Sequence, residues 1–106
     1  MRLHRIRNDQ LYHRDLGDPL EVLMLLPDGG HRVEVVGSNI LNGERLQPFL
    51  PGDTFHTARV RDGGQWFLGA STEWPGVDPS DVEPGEADAL AETYPDAADL
   101  IRSFTA

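Results

Sequence analysis

The chain has 106 residues and no cysteine. This length predicts one domain, residues 1–106, and the lack of cysteine excludes disulfides, thiolate metal sites and a cysteine nucleophile. The formal charge of −9 is concentrated in residues 73–106, which hold nine acidic residues and one arginine. No basic face remains to bind phosphates, so we predict no nucleic-acid partner.

The sequence predicts a cytoplasmic protein without a membrane partner. Its first residues, Met1-Arg2-Leu3-His4, lack the pattern of a signal peptide. The longest apolar run, Val22 to Leu26, is much too short to span a bilayer.

Short apolar runs separated by glycine and proline predict β-strands over residues 1–74. Leu20–Leu26 is followed by a Pro-Asp-Gly-Gly turn, and His31–Val36 alternates as the partner strand of a hairpin would. Asp62-Gly63-Gly64 is predicted to be a second hairpin turn. Further strands are predicted at 47–50, 54–60 and 65–71. This pattern is typical of a β-sandwich or barrel.

Residues 75–106 are predicted to form a loop and a helical tail that packs on the outside of the strands. The loop spans 78–85, and helical composition follows at 86–94 and 95–104. Pro95 must end one helix or begin the next. The predicted apolar stripe is Leu90, Tyr94, Ala98, Ile101 and Phe104.

Two segments resemble the conserved motifs of the cupin superfamily. In the first motif, His4 stands at the first histidine, Gln10 at the glutamate and Gly17 at the final glycine. In the second motif, Pro51 and His56 keep the spacing from proline to histidine. The resemblance implies an all-β jelly-roll fold, here with short C-terminal helices, whose motif residues meet in one pocket.

Within this superfamily, the chain is similar to cupin type five, an RmlC-like family of unknown function. Members of that family usually begin with further strands, which would precede His4 here. A barrel without them would expose strand edges and apolar surface, so we predict a homodimer. The stretches that carry the similarity are 4–13, 17–20, 51–59, 69–76 and 94–101.

Alternate side chains of a strand face the same side, which predicts the lining of the pocket. On the first motif His4 and Ile6 point inward, while His13 points outward. The other inward residues are Gln10, Tyr12, His56 and, on the same face of the strand, Arg14. Either Trp66 or Phe67 also faces the pocket, and parity does not decide which.

One hypothesis is a metal-free enzyme of the isomerase, epimerase, dehydratase or cyclase type. His56 would be the base or acid and Tyr12 the proton donor, because histidine titrates near neutral pH. His4 would orient the substrate, which would contact Gln10, Arg14 and Trp66. Cupin-fold sugar-nucleotide epimerases are similar in using histidine and tyrosine without a metal. The substrate would be a small carbonyl-containing or sugar-like molecule.

Two alternatives remain open. His4 and His56 could bind iron, manganese or zinc, but Ile6 replaces the second motif histidine and Gln10 replaces the carboxylate. The sequence therefore favours no metal cofactor. A non-catalytic ligand-binding protein with buried, hydrogen-bonded histidines is the other alternative.

Overall fold

A computed structural model describes all 106 residues and shows two antiparallel sheets with two helices after them. The strands are β1 (His4–Ile6), β2 (Asp9–Gly17), β3 (Leu20–Leu25), β4 (His31–Val36), β5 (Phe49–Leu50), β6 (Phe55–Val60), β7 (Phe67–Trp74) and β8 (Val82–Pro84). The helices are α1 (Ala87–Thr93) and α2 (Ala98–Thr105). One sheet has the order β4-β3-β6-β1-β8 and the other has the order β5-β2-β7.

The predicted first hairpin is present. β3 and β4 pair in one continuous register from Leu20 opposite Val36 to Leu25 opposite His31. The Pro-Asp-Gly-Gly turn joins them, and Gly29 adopts the positive φ of 92° that such a turn demands. The turn residues and the alternation of apolar and polar side chains, both visible in the sequence, are enough to define the β3–β4 hairpin.

The prediction of a second hairpin at Asp62-Gly63-Gly64 is wrong. β6 pairs with β3 and β1, whereas β7 pairs with β2 in the other sheet. The Asp62-Gly63-Gly64 turn therefore carries the chain from one sheet to the other. A tight turn has the same local structure whether it closes a hairpin or connects two sheets. Only the long-range pairing partners decide which sheet the next strand joins.

The segment predicted as a loop contains a strand as well. β8 pairs with β1, with Ile6 opposite Val82 and His4 opposite Pro84. All three residues of β8 are exposed, so its positions do not alternate between buried and exposed. A short edge strand of this kind leaves no periodic signal in the sequence.

The large sheet is covered on both faces by apolar side chains. Its inner face meets the small sheet in one cluster, made of Tyr12, Val22, Met24, Val36, Leu50 and Ala58. Its outer face meets the helices in a second cluster, made of Leu3, Leu23, Leu25, Phe55, Leu90, Ala91, Ala97, Ile101 and Phe104. This second cluster, called the outer core below, shows that the helical tail packs on the outside of the strands as predicted.

Local contacts fix the tail on the sheet. The Glu86 side chain caps α1 by accepting hydrogen bonds from the backbone N–H groups of Asp88 and Ala89. From β6, the guanidinium of Arg59 lies 4.0 Å from the centre of the Phe104 ring and donates to Ser103 Oγ at 2.6 Å. Neither helix is long and apolar enough to cross a membrane.

Gly17 at the end of β2 is expected to be intolerant of a side chain. Its φ is +102°, and a Cβ there would lie 2.7 Å from the Trp66 carbonyl oxygen and 2.8 Å from the Trp66 ring. Gly17→Ala should therefore cost about 1–3 kcal/mol of folding free energy, measured by urea denaturation. Gly76→Ala is the matched control, because a Cβ there would contact nothing within 4 Å. Equal stability of the two variants would contradict this packing.

Candidate functional site

A cup opens between the two sheets. It has a volume of about 300 Å³ and a mostly apolar lining, formed by Met1, Tyr12, Leu20, Phe67, Gly69, Ala70 and Ser71. The size and lining are typical of small-ligand sites, in which a few polar groups fix the orientation of a mostly apolar contact. Tyr12 connects this cavity to a set of polar side chains deeper between the sheets.

The two motif histidines lie side by side next to the cup. β1 and β6 pair so that His4 and His56 are directly opposite, and their ring centres are 4.4 Å apart. His56 Nδ1 lies 3.1 Å from Thr54 O, and His4 Nδ1 lies 2.6 Å from Arg2 O. A carbonyl oxygen only accepts, so both Nδ1 atoms carry a proton, and a neutral His56 ring keeps its lone pair on Nε2.

His56 presents an unused acceptor inside the protein. The residue is only 1% exposed, and its Nε2 atom is buried without a hydrogen-bond partner. The pKa of His56 falls from its usual 6.5 to about 4, mainly because of burial. The neighbouring His4 also lowers this pKa, while the hydrogen bond to Thr54 and the charge of Glu73 raise it. His56 is therefore an uncharged imidazole at neutral pH.

This burial predicts a pH-dependent stability. Because the folded-state pKa lies below the unfolded value, the unfolded chain binds the proton more readily. The contribution of His56 is thus complete above about pH 6.5 and is lost as pH falls toward 4, with a loss on the order of 2 kcal/mol at pH 5. Urea unfolding at pH 7 and pH 5 measures it. His56→Gln should lose this part of the pH dependence, His31→Gln should keep it, and an identical pH response in all three proteins would contradict the burial of His56.

Tyr12 is the hydrogen-bond donor of the site. Its ring centre lies 6.1 Å from that of His56, and its hydroxyl reaches only Met1 Sδ, at 3.5 Å. Burial raises the pKa of Tyr12 to about 12, and the nearby charge of Glu73 adds to this effect. The phenol therefore stays protonated, and its weak contact with sulfur is easily replaced by a ligand oxygen.

The structure adds a carboxylate that the sequence analysis missed. Gln10, only 4% exposed, lies opposite Glu73 across the β2–β7 pair and donates from Nε2 to Glu73 Oε1 at 3.1 Å. Ser71 Oγ donates to the same oxygen at 2.8 Å. The β7 strand was predicted to end at Ser71, so Glu73 fell outside it. Extending the same strand would have found Glu73, because the alternation that places Phe67 inward also places Ser71 and Glu73 inward.

None of the three predicted substrate contacts, Gln10, Arg14 and Trp66, lines the cavity. Arg14 Nη2 donates to Gly17 O at 2.9 Å, and its buried Nε has no partner. Trp66 is 50% exposed and its ring lies against Gly17, whereas its neighbour Phe67 lines the cup. The structure thus brings together His4, His56, Tyr12 and Gln10, with Glu73 in addition, and leaves Trp66 outside this group.

The donor set does not fit a cupin metal centre. No group of three or more histidine, cysteine, aspartate or glutamate side chains is arranged to hold a metal ion. Ile6, at the second motif histidine, is a buried apolar residue, and the amide of Gln10 is bound to Glu73. Two imidazoles alone make a weak site for iron, manganese or zinc.

Comparisons with known proteins agree with this architecture. A protein from Shewanella oneidensis superposes with a TM-score of 0.85 and 23% identity, covering 97% of this chain and 65% of its own. A hypothetical protein from Leishmania major superposes with a TM-score of 0.88 and 28% identity, covering 97% of this chain and 67% of its own. This chain therefore spans only about two thirds of the length of each.

No curated protein matches the sequence. The family model described as "Cupin superfamily (DUF985)", or cupin type five, matches residues 1–84. This confirms the fold and family that the two motifs predicted. The chain belongs to the cupin type five family of the cupin superfamily.

Proposed function

We propose that this protein is a metal-independent acid/base enzyme of the isomerase, epimerase, dehydratase or cyclase type, acting on a small carbonyl-containing or sugar-like molecule. The observation that carries the proposal is the unpartnered Nε2 lone pair of His56 beside the protonated phenol of Tyr12. One group accepts a proton and the other donates a hydrogen bond, which is the pair that proton removal next to a carbonyl requires.

In this proposal the Tyr12 hydroxyl donates to the substrate carbonyl oxygen, leaving its contact with Met1 Sδ. His56 Nε2 then takes the proton from the adjacent carbon, and Tyr12 stabilises the enolate oxygen that forms. A neutral imidazole with a pKa of about 4 is a weak base, so the reaction depends on this activation of the carbonyl. The charge of Glu73, which raises the pKa of His56, stabilises the imidazolium once the proton has moved.

Hydrogen–deuterium exchange tests this chemistry without knowledge of the natural substrate. Small hydroxyketones, aldoses and aminoketones would be incubated in D₂O with the protein, and loss of the proton next to the carbonyl would be followed by NMR. We expect at least one probe to exchange faster than in buffer. If no probe exchanges, although one raises the melting temperature, the cup is a non-catalytic binding site and the proposal fails.

The Tyr12→Phe variant tests the role of the Tyr12 hydroxyl in the same exchange assay. Tyr12→Phe keeps the apolar wall of the cup and removes only the donor. Loss of a single oxyanion donor is expected to slow exchange by about 10²-fold. Tyr94→Phe is the control, because Tyr94 donates to Leu26 O outside the cup. Unchanged exchange in Tyr12→Phe would remove Tyr12 from the reaction.

We also propose that the protein acts as a homodimer in the cytoplasm. The support is the small sheet, which leaves several large apolar side chains exposed, among them Leu16, Phe49, Leu68 and Trp74. Apolar residues grouped on one sheet are typical of an interaction surface. Light scattering after size exclusion should give twice the 11.7 kDa chain mass, and a monomer across the accessible concentration range would contradict the proposal.

A further inference from the structure

A carboxylate without a positive partner lies beside the cup, hydrogen-bonded to Ser71 of the cup wall. Glu73 accepts two hydrogen bonds from neutral groups, Gln10 and Ser71, and both go to Oε1. None of the six ion pairs of the protein includes Glu73. Its other oxygen, Oε2, therefore has no hydrogen-bond or ion-pair partner within the protein.

Neither Arg14 nor His56 neutralises this charge. Arg14, on the same face of β2, is bound to the Gly17 carbonyl and does not line the cavity. Burial keeps His56 uncharged at neutral pH. A ligand that enters the cup thus meets no charged side chain on the wall, and the Glu73 carboxylate lies one hydrogen bond beyond Ser71.

The wall of the cup is suited to the organic part of a cationic ligand. Tyr12 and Phe67 contribute aromatic rings, and Met1 contributes a polarisable thioether. The faces of aromatic rings attract alkylammonium groups, and methionine adapts its shape to apolar ligands. An aromatic wall with a carboxylate next to it is thus complementary to an amine joined to an apolar body.

We propose that the cup takes a ligand with a positively charged, amine-type head group, which pairs with Glu73 while its apolar part packs on Tyr12 and Phe67. This inference deepens the proposed function, since the carbonyl substrate would then carry an amino group. Excluding water from Glu73 beneath an apolar or anionic ligand would leave a carboxylate without compensation, which is costly. An ammonium group offsets that cost and gives the cup its selectivity.

Three probes of the same shape and different charge test the inference: benzylamine, benzyl alcohol and benzoate. Thermal shift and calorimetry at pH 7.5 and millimolar concentration would measure binding to the full chain. We expect benzylamine to bind most tightly, benzyl alcohol weakly and benzoate not at all. Binding of benzyl alcohol or benzoate as tight as that of benzylamine, or no binding of benzylamine, overturns the proposal. This ranking measures binding only and requires neither a variant nor turnover. A failure of the charge preference can therefore be told apart from a failure of the exchange test of the proposed function.

Glu73→Gln tests the residue itself. Glutamine keeps the size of the side chain and an oxygen that accepts from Gln10. We expect benzylamine affinity to fall about tenfold or more, because a half-buried ion pair is worth more than an exposed one. Glu92→Gln is the control, since it removes the same charge from the exposed surface of α1. An unchanged affinity in Glu73→Gln, or an equal loss in Glu92→Gln, contradicts the assignment to Glu73.

Discussion

His56→Ala is expected to slow proton exchange in the cup by about 10²–10⁴-fold, the contribution typical of a positioned acid or base. The side chain is the buried base of the proposed reaction, and alanine removes the imidazole nitrogen that would take the proton. The exchange assay in D₂O measures the rate with the probe that responds best. Circular dichroism would show that the variant is folded.

His31→Ala is the matched control for His56→Ala. His31 begins β4 opposite Leu25, whose side chain belongs to the outer core, so its own side chain lies away from the cup. Its replacement should leave exchange unchanged. Equal rates in wild type and a folded His56→Ala variant would show that His56 is not the base.

Leu25→Ala is expected to destabilise the protein by about 2–5 kcal/mol. Leu25 has no exposed surface and lies in the outer core between the large sheet and the helices. The truncation removes apolar contact and leaves a cavity that β3 and α2 cannot close without repacking. Since small domains are stable by only about 5–15 kcal/mol, this is a large fraction of the total.

Leu41→Ala makes the same chemical change at a fully exposed position. Its cost should stay within about 0.5 kcal/mol, as is usual for surface substitutions. Urea denaturation of both variants measures the difference. Equal midpoints for Leu25→Ala and Leu41→Ala would show that the helical tail does not cover the sheet.

The sequence predicts the fold well where local chemistry decides it. The Pro27–Gly30 turn and the alternation of His31–Val36 define the first hairpin, and the stripe ending at Phe104 defines the tail that covers the sheet. The partner of β7 and the existence of β8 depend on pairing between residues far apart in the chain. Such pairing leaves little trace in local composition.

The candidate site is predictable in part. Motif spacing and strand parity identify four polar residues that the fold brings together, His4, Gln10, Tyr12 and His56. Glu73 was missed because the predicted strand ended at residue 71, three residues before the end of β7 at Trp74. Parity also could not choose between Trp66 and Phe67, because that choice depends on where the strand joins the sheet.

The central claim is that the cup works through its own side chains, without a metal, and metal analysis tests it most directly. Protein purified without a metal-affinity tag would be analysed for iron, manganese and zinc, together with its His4→Ala and His56→Ala variants. The account predicts no stoichiometric metal in any of the three proteins. About one metal ion per chain in the wild type, lost in both variants, would contradict it and assign the two imidazoles to a metal centre.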